Sequence, residues 1–253
     1  MSVLAVTMWQ LGEVERAREL IEQANRCGSE FGHGPSMANP LQWKSHLEIL
    51  RGDPAAALIA GEALEGLGQE HGLPFWRTFA ELSVGWARGR LHDAATGAED
   101  LRRLLADRIE QGALNDAWFY KGLLAELEAE TLGAESALAR IDEAFVLARQ
   151  VETRGNLPFL HLLRGKLLLG RDPSNPAPAE EALQTALQIA KQQGARSWGL
   201  RAALSLAKLY HSTDRPADAH AVLAPALEGF SPTPEMPEIA EARALLAALG
   251  APE

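Results

Sequence analysis

Seven histidines are the residues most able to do chemistry in this chain: His33, His46, His71, His92, His161, His211 and His220. Imidazoles that hold a metal usually recur at short fixed spacings on one helix face, as in H-x-x-x-H or H-E-x-x-H. None of these seven does, so the reading is structural or surface histidine and no metal site. Acidic groups occur as Glu62/Glu65, Glu126/Glu128/Glu130 and Glu180/Glu181. Paired carboxylates can serve as general acid and base. Here they fall on regular helical patterns with no matching nucleophile, which reads as a solvated helix face. There is no G-x-S-x-G elbow, and the single cysteine, Cys27, has no motif around it. One cysteine also excludes an internal disulfide framework and a cysteine zinc cluster. Gly165-Lys166 is followed by Leu167 and sits inside a helical pattern, so it is not a phosphate-binding loop. The expectation is a chain that is not an enzyme and needs no cofactor.

The elements that carry these residues are helices. The 253 residues contain 7 Val, 7 Ile and 8 Thr, far too few β-branched residues for a chain built of strands. Leu, Ala, Glu, Gln and Arg dominate, and they are good helix formers. The formal charge of −10 and the lack of a basic run disfavour direct nucleic-acid binding. No apolar stretch approaches the roughly 20 residues that a bilayer span needs. The apolar start, Met1 to Trp9, lacks a basic segment and does not read as a signal peptide. A cytoplasmic protein with no membrane partner is expected.

The helices repeat. A turn residue is followed five positions on by alanine at Gly12/Ala17, Gly52/Ala57, Gly89/Ala94, Leu132/Ala137 and Asp214/Ala219, with Ala179 after a longer loop. The steps along 17, 57, 94, 137, 179 and 219 are 40, 37, 43, 42 and 40. Each unit reads as two helices: Val3 to Leu11 with Val14 to Arg26, Pro40 to Leu50 with Pro54 to Leu67, and Pro74 to Ala87 with Asp93 to Gln111. Then come Asn115 to Thr131 with Ala134 to Gln150, Pro158 to Leu169 with Ala179 to Gln193, and Ser197 to His211 with Ala217 to Phe230. Three prolines between 173 and 178 forbid helix in the fifth unit's loop. Asp214 suits a helix cap and Pro216 a first helical turn. Alanines at the crossings allow close approach, with Leu183 and Leu223 filling the neighbour's groove.

The fold expected is all-α: a right-handed α–α superhelix of about six helix pairs in one domain over 1–253. The repeats are 1–28, 34–72, 73–112, 113–152, 156–194 and 195–231, with a capping helix at 237–250. The short first helix suggests either a fragment or a gene encoding only the array. The pattern resembles the tetratricopeptide repeat. In the last unit Leu206, Ala207, Tyr210, Asp214, Ala219, Leu223 and Ala226 fall on that motif's spacing; in the first, Leu4, Ala5, Met8, Gly12, Ala17, Ile21 and Ala24 do. The period, near 40 rather than 34, departs from it.

Longer phrases extend the resemblance. They include His71-Gly72-Leu73-Pro74-Phe75-Trp76, Gly85-Trp86-Ala87, Leu163-Arg164-Gly165-Lys166-Leu167-Leu168-Leu169, Ala182-Leu183-Gln184-Thr185-Ala186-Leu187-Gln188-Ile189-Ala190, Ala195-Arg196-Ser197-Trp198 and Glu241-Ala242-Arg243-Ala244-Leu245-Leu246. Together they are similar to the C-terminal helical-repeat region of bacterial class III adenylate or guanylate cyclase–ATPase signalling proteins. That resemblance implies a non-catalytic scaffold for protein–protein or intramolecular regulation. Its partner would be a protein or peptide, such as the cyclase or ATPase domains of a parent protein. An alternative is a small-molecule-sensing helical-repeat domain of an ATP-dependent transcriptional regulator, with a pocket lined by Trp76, Trp86 and Phe119.

Trp43, Trp76, Trp86, Trp118 and Trp198 all fall on first helices, the helices that line the concave side of such arrays. The repeat spacing projects Gln42, His46, Trp76, Ser83, Trp86, Phe119, Lys166, Arg201, Lys208 and His211 onto that side as candidate partner-binding residues. Some of the tryptophan rings read as core wedges between repeats and the rest as anchors for a bound peptide or domain, since aromatic residues are favoured at interfaces.

Overall fold

A computed structural model describes residues 1–152 and 155–250. Among them are thirteen α-helices and no strand. They pair as α1 (Ser2–Gln10) with α2 (Val14–Phe31), α3 (Gly34–Arg51) with α4 (Pro54–Glu70), α5 (Pro74–Leu91) with α6 (Ala94–Glu110) and α7 (Ala117–Thr131) with α8 (Ala134–Gln150). The chain continues as α9 (Leu157–Arg171) with α10 (Ala177–Gln193), α11 (Arg196–Ser212) with α12 (Pro216–Leu227), and a final α13 (Glu238–Leu249). Two compact units contain these helices: Met1–Trp9 with Glu15–Val151, and Gln10–Val14 with Glu152 onward. In the first unit α3 to α8 pack consecutively, and in the second α9 to α13 do, as in a helical solenoid.

The packing shows why the sequence repeats, and it corrects the register of the third unit. The second helices α2, α4, α8 and α12 bury a small residue three positions in, Ala17, Ala57, Ala137 and Ala219, and α10 buries Ala179 two positions in. In α6 that position is Gly97, not Ala94, which is only half-buried. The corrected series 17, 57, 97, 137, 179, 219 steps by 40, 40, 40, 42 and 40, the excess in one step falling at the proline loop. Gly89, read above as a turn residue, lies inside α5 and faces Gly97: a methyl group added at Gly97 would stand 2.4 Å from the Gly89 Cα. Gly12, Gly52 and Gly133 do occupy turns, with φ of 90°, 77° and 86°, a region glycine enters without strain.

A second row runs down the first helices. Ala5, Ser45, Gly85, Ala125, Gly165 and Ala207 recur at 40, 40, 40, 40 and 42 and are all buried. They sit twelve to fourteen residues before the small position, at the helix crossing. Leu101 lies over Gly85 and Leu183 over Gly165, each so close that a Cβ on the glycine would be within 2.7 Å of a leucine carbon. Gly165 is therefore a packing glycine in mid-helix.

Several helix ends differ from the sequence expectation: α2 runs to Phe31 rather than Arg26 and α5 to Leu91 rather than Ala87, and three differences involve prolines and a cap. The helix expected from Pro40 begins at Gly34 and carries Pro40 inside it. Pro40 removes one N–H, and the Ser36 carbonyl it would have met instead lies against Gly28 of α2, where a Cβ would be 2.5 Å from that oxygen. Pro178 lies in the first turn of α10, where a missing N–H costs nothing, so only 172–176 are non-helical in that loop. Pro216 opens α12 as expected, but Asp214 does not cap it. Asp214 turns the chain at φ 58°, and Arg215 holds the cap position with no side-chain cap bond.

Neighbouring repeats are tied by a polar pair at a fixed separation of 26 residues. Arg88 donates to Glu62 at 2.9 Å, Arg102 to Glu128 at 2.8 Å and the Gln184 amide to the Tyr210 hydroxyl at 3.1 Å. At the first such site the residues are Glu22 and Glu48, which would repel. Arg18 lies between them, at 3.6 Å from Glu22 and 2.5 Å from Glu48.

Candidate functional site

Within each unit the first helices of successive repeats touch, α3 on α5, α5 on α7 and α9 on α11, and α11 also touches the capping helix α13. Among the described residues the second helices α10 and α12 make no such backbone approach. Crowding on one side opens the other, so side chains decide what fills each face.

In the first unit the first-helix face is filled by the chain's own rings. His46 of α3 meets Phe119 of α7 at 4.9 Å between centroids and Trp43 edge-on at 5.8 Å. Ser83, Trp86 and Phe119 are each 3% exposed. Trp86 Nε1 donates to Glu126 at 3.3 Å, a residue forty positions on that the projection missed although it continues the row His46, Trp86. Trp86 and Phe119 are buried as packing residues, while Trp76 packs with Phe79 and Leu73 around the cluster of Ala38, Leu64 and Ala80. Gln42 is half-buried on α3.

His46 is half-buried between these rings, and burial pushes its imidazole down from the ordinary 6.5 to about 4. Between those values the unfolded chain binds the proton that the folded chain refuses. Stability is therefore whole above pH 6.5 and is lost as pH falls toward 4. At about 1.4 kcal/mol per unit, discounted for the ring's partial exposure, the loss is about 2 kcal/mol. Denaturant titrations at pH 7 and pH 4 are expected to show it, and His46→Asn to remove that part of the slope; an NMR titration placing His46 near 6.5 refutes it.

In the second unit Lys166 and His211 are exposed. Arg201 and Lys208 are not free: Arg201 pairs with Glu238 at 2.7 Å and Lys208 with Glu241 at 2.6 Å, both on α13. The guanidinium of Arg201 also lies 5.3 Å from the Trp198 ring centre. The capping helix takes these two cations.

An open groove of about 570 Å³ runs between α10 and α12. Leu187, Leu206 and Val222 form its apolar floor, and Gln184, Gln188 and Gln192 stand along one wall. Tyr210 and Arg215 close one end. Arg215 pairs with Glu180 and Asp218, both at 2.8 Å, and its guanidinium covers the Tyr210 ring at 4.2 Å. Those carboxylates raise the Arg215 pKa further above its ordinary value, and burial raises that of the Tyr210 hydroxyl. Glutamines at 184, 188 and 192 were visible in the sequence as one helix face. The projection onto first helices looked past them.

Among the described residues no group of His, Cys, Asp and Glu could hold a metal ion, and no helix is long and apolar enough to cross a membrane. No protein-family model and no curated protein matches the sequence. Seventeen chains of solved structures match. One is the crystal structure of BtubC (BKLC) from P. vanneervenii, 17% identical, with a TM-score of 0.57 over 89% of this chain and 93% of that one. The likeness is one of fold.

Proposed function

We propose that this chain is a non-catalytic helical-repeat scaffold that mediates protein–protein or intramolecular regulatory interactions in the cytoplasm. The finer part of the proposal is that it regulates a cyclase- or ATPase-linked signalling protein, with those domains as its partners. One observation carries the reading: the forty-residue period is spent on packing and inter-repeat ties, and it leaves an open groove of mixed apolar and amide character between α10 and α12. A surface that combines apolar area with adaptable hydrogen-bonding groups suits a macromolecular partner. The resemblance of the phrases after Leu157 to cyclase–ATPase proteins supports the finer part.

The test is reconstitution. Purified full chain is mixed with a class III cyclase catalytic domain from the same genome, and co-elution and cyclic nucleotide formation are measured. Co-elution with a changed rate is expected. Separate elution and an unchanged rate remove the cyclase part. Failure of cross-linking in native lysate to attach any protein to the chain removes the scaffold reading as well.

A further inference from the structure

We infer that the groove between α10 and α12 binds an extended peptide segment carrying an acidic side chain beside apolar ones. The inference rests on the scaffold reading and names the kind of partner it takes. The groove is open for a reason that the repeat makes visible. In the fourth repeat Arg140, three residues after the small position Ala137, reaches Glu128 at 3.1 Å and covers the corresponding surface. In the sixth repeat the residue three after Ala219 is Val222. Likewise Gln184 stands where the third repeat has Arg102. Two arginines are replaced by shorter, uncharged side chains, and the surface they would have covered is left to a partner.

The lining specifies the occupant. Gln184, Gln188 and Gln192 follow at intervals of four, so their amides rise by about 6 Å per step along the helix. Peptide groups facing one side of an extended chain repeat at about 6.6 Å. Flexible glutamine side chains absorb the difference over two steps. Gln188 and Gln192 each offer both a donor and an acceptor to a backbone, while Gln184, whose amide N–H groups are given to Tyr210 and Glu180, offers its carbonyl oxygen. Alternate side chains of that segment would fall on Leu187, Leu206 and Val222. The charge is set by Lys191, exposed at the other end from Arg215 and without a carboxylate partner among the described residues. Arg215 is already neutralised by Glu180 and Asp218. A carboxylate near Lys191 is the complementary group.

A phage-displayed library of random linear peptides panned on the full chain tests this, with affinities of the selected peptides read by fluorescence anisotropy. The expected result is peptides with an acidic residue among apolar ones. Their binding should weaken by about tenfold or more in Val222→Arg and in Lys191→Glu, and stay unchanged in Gln42→Ala on α3. The double variant Gln188→Ala/Gln192→Ala alters only exposed side chains and keeps the test intact if Val222→Arg does not fold. No selected peptide, or peptides whose binding is the same in all the groove variants, overturns the inference. In the latter case the scaffold reading survives and its binding face lies elsewhere. Self-association of the chain that Val222→Arg abolishes also overturns it, because the occupant would then be a second copy.

Discussion

Replacing both Arg102 and Arg140 with alanine is expected to destabilise the first unit by about 3–5 kcal/mol. Glu128 is 1% exposed and is held by Arg102 at 2.8 Å and by Arg140 at 3.1 Å. Without them its carboxylate remains inside the helix packing with no cation to offset its desolvation. The reverse substitution is predicted to be milder. Glu128→Leu keeps the volume, and the two guanidiniums, on side chains 43% and 21% exposed, can turn to water. The asymmetry separates a buried-charge effect from a loss of packing. Urea denaturation of the three proteins checks it: equal losses for the double arginine variant and for Glu128→Leu would show that the carboxylate is held by packing alone. The same logic applies to Glu48, clasped by Arg18 and Arg51 at the equivalent place two repeats earlier.

These ties clarify what could be read without a structure. Helix pairs, their number and the small residues at their crossings are local and periodic, so composition and spacing were enough for them. A 26-residue pairing of Glu62 with Arg88, and of Arg102 with Glu128, is equally periodic, but its charges invert between repeats. A search for one residue type at one position passes over it. The third repeat reads three residues out of register from sequence because its small residue is glycine, and Ala94 is a nearer match to the alanine series. The site was less legible for a different reason. Whether a first-helix residue faces a partner depends on how closely first helices approach across a repeat, and His46 meeting Phe119 73 residues away is not encoded in either residue's own spacing. Arg201 and Lys208, projected as partner-binding residues, instead pair with Glu238 and Glu241 of α13.

Glycine substitution tests the corrected register most sharply, since the sign of the effect depends on what faces each glycine. Gly97→Leu is expected to cost more than about 3 kcal/mol, beyond the usual range for an overfilled core. A Cβ at Gly97 would stand 2.4 Å from the Gly89 Cα and 2.9 Å from the Gly85 carbonyl oxygen. These are backbone atoms of α5, so no rotamer change relieves the clash and α5 and α6 must move apart. Gly97→Ala already introduces that Cβ and should lose most of the same stability. Gly66 in α4 provides the opposite case: nothing lies within 4 Å of a Cβ there, and it is exposed in mid-helix. Gly66→Ala should raise stability by about 0.5–1 kcal/mol by reducing the freedom of the unfolded chain. Thermal unfolding followed by circular dichroism distinguishes them, with the Gly97 variants falling by roughly 6 °C or more and Gly66→Ala rising by a few degrees. If Gly97→Ala matched Gly66→Ala in sign, α5 and α6 would not meet at Gly89 and Gly97, and the exact forty-residue register of the third repeat would fall with them.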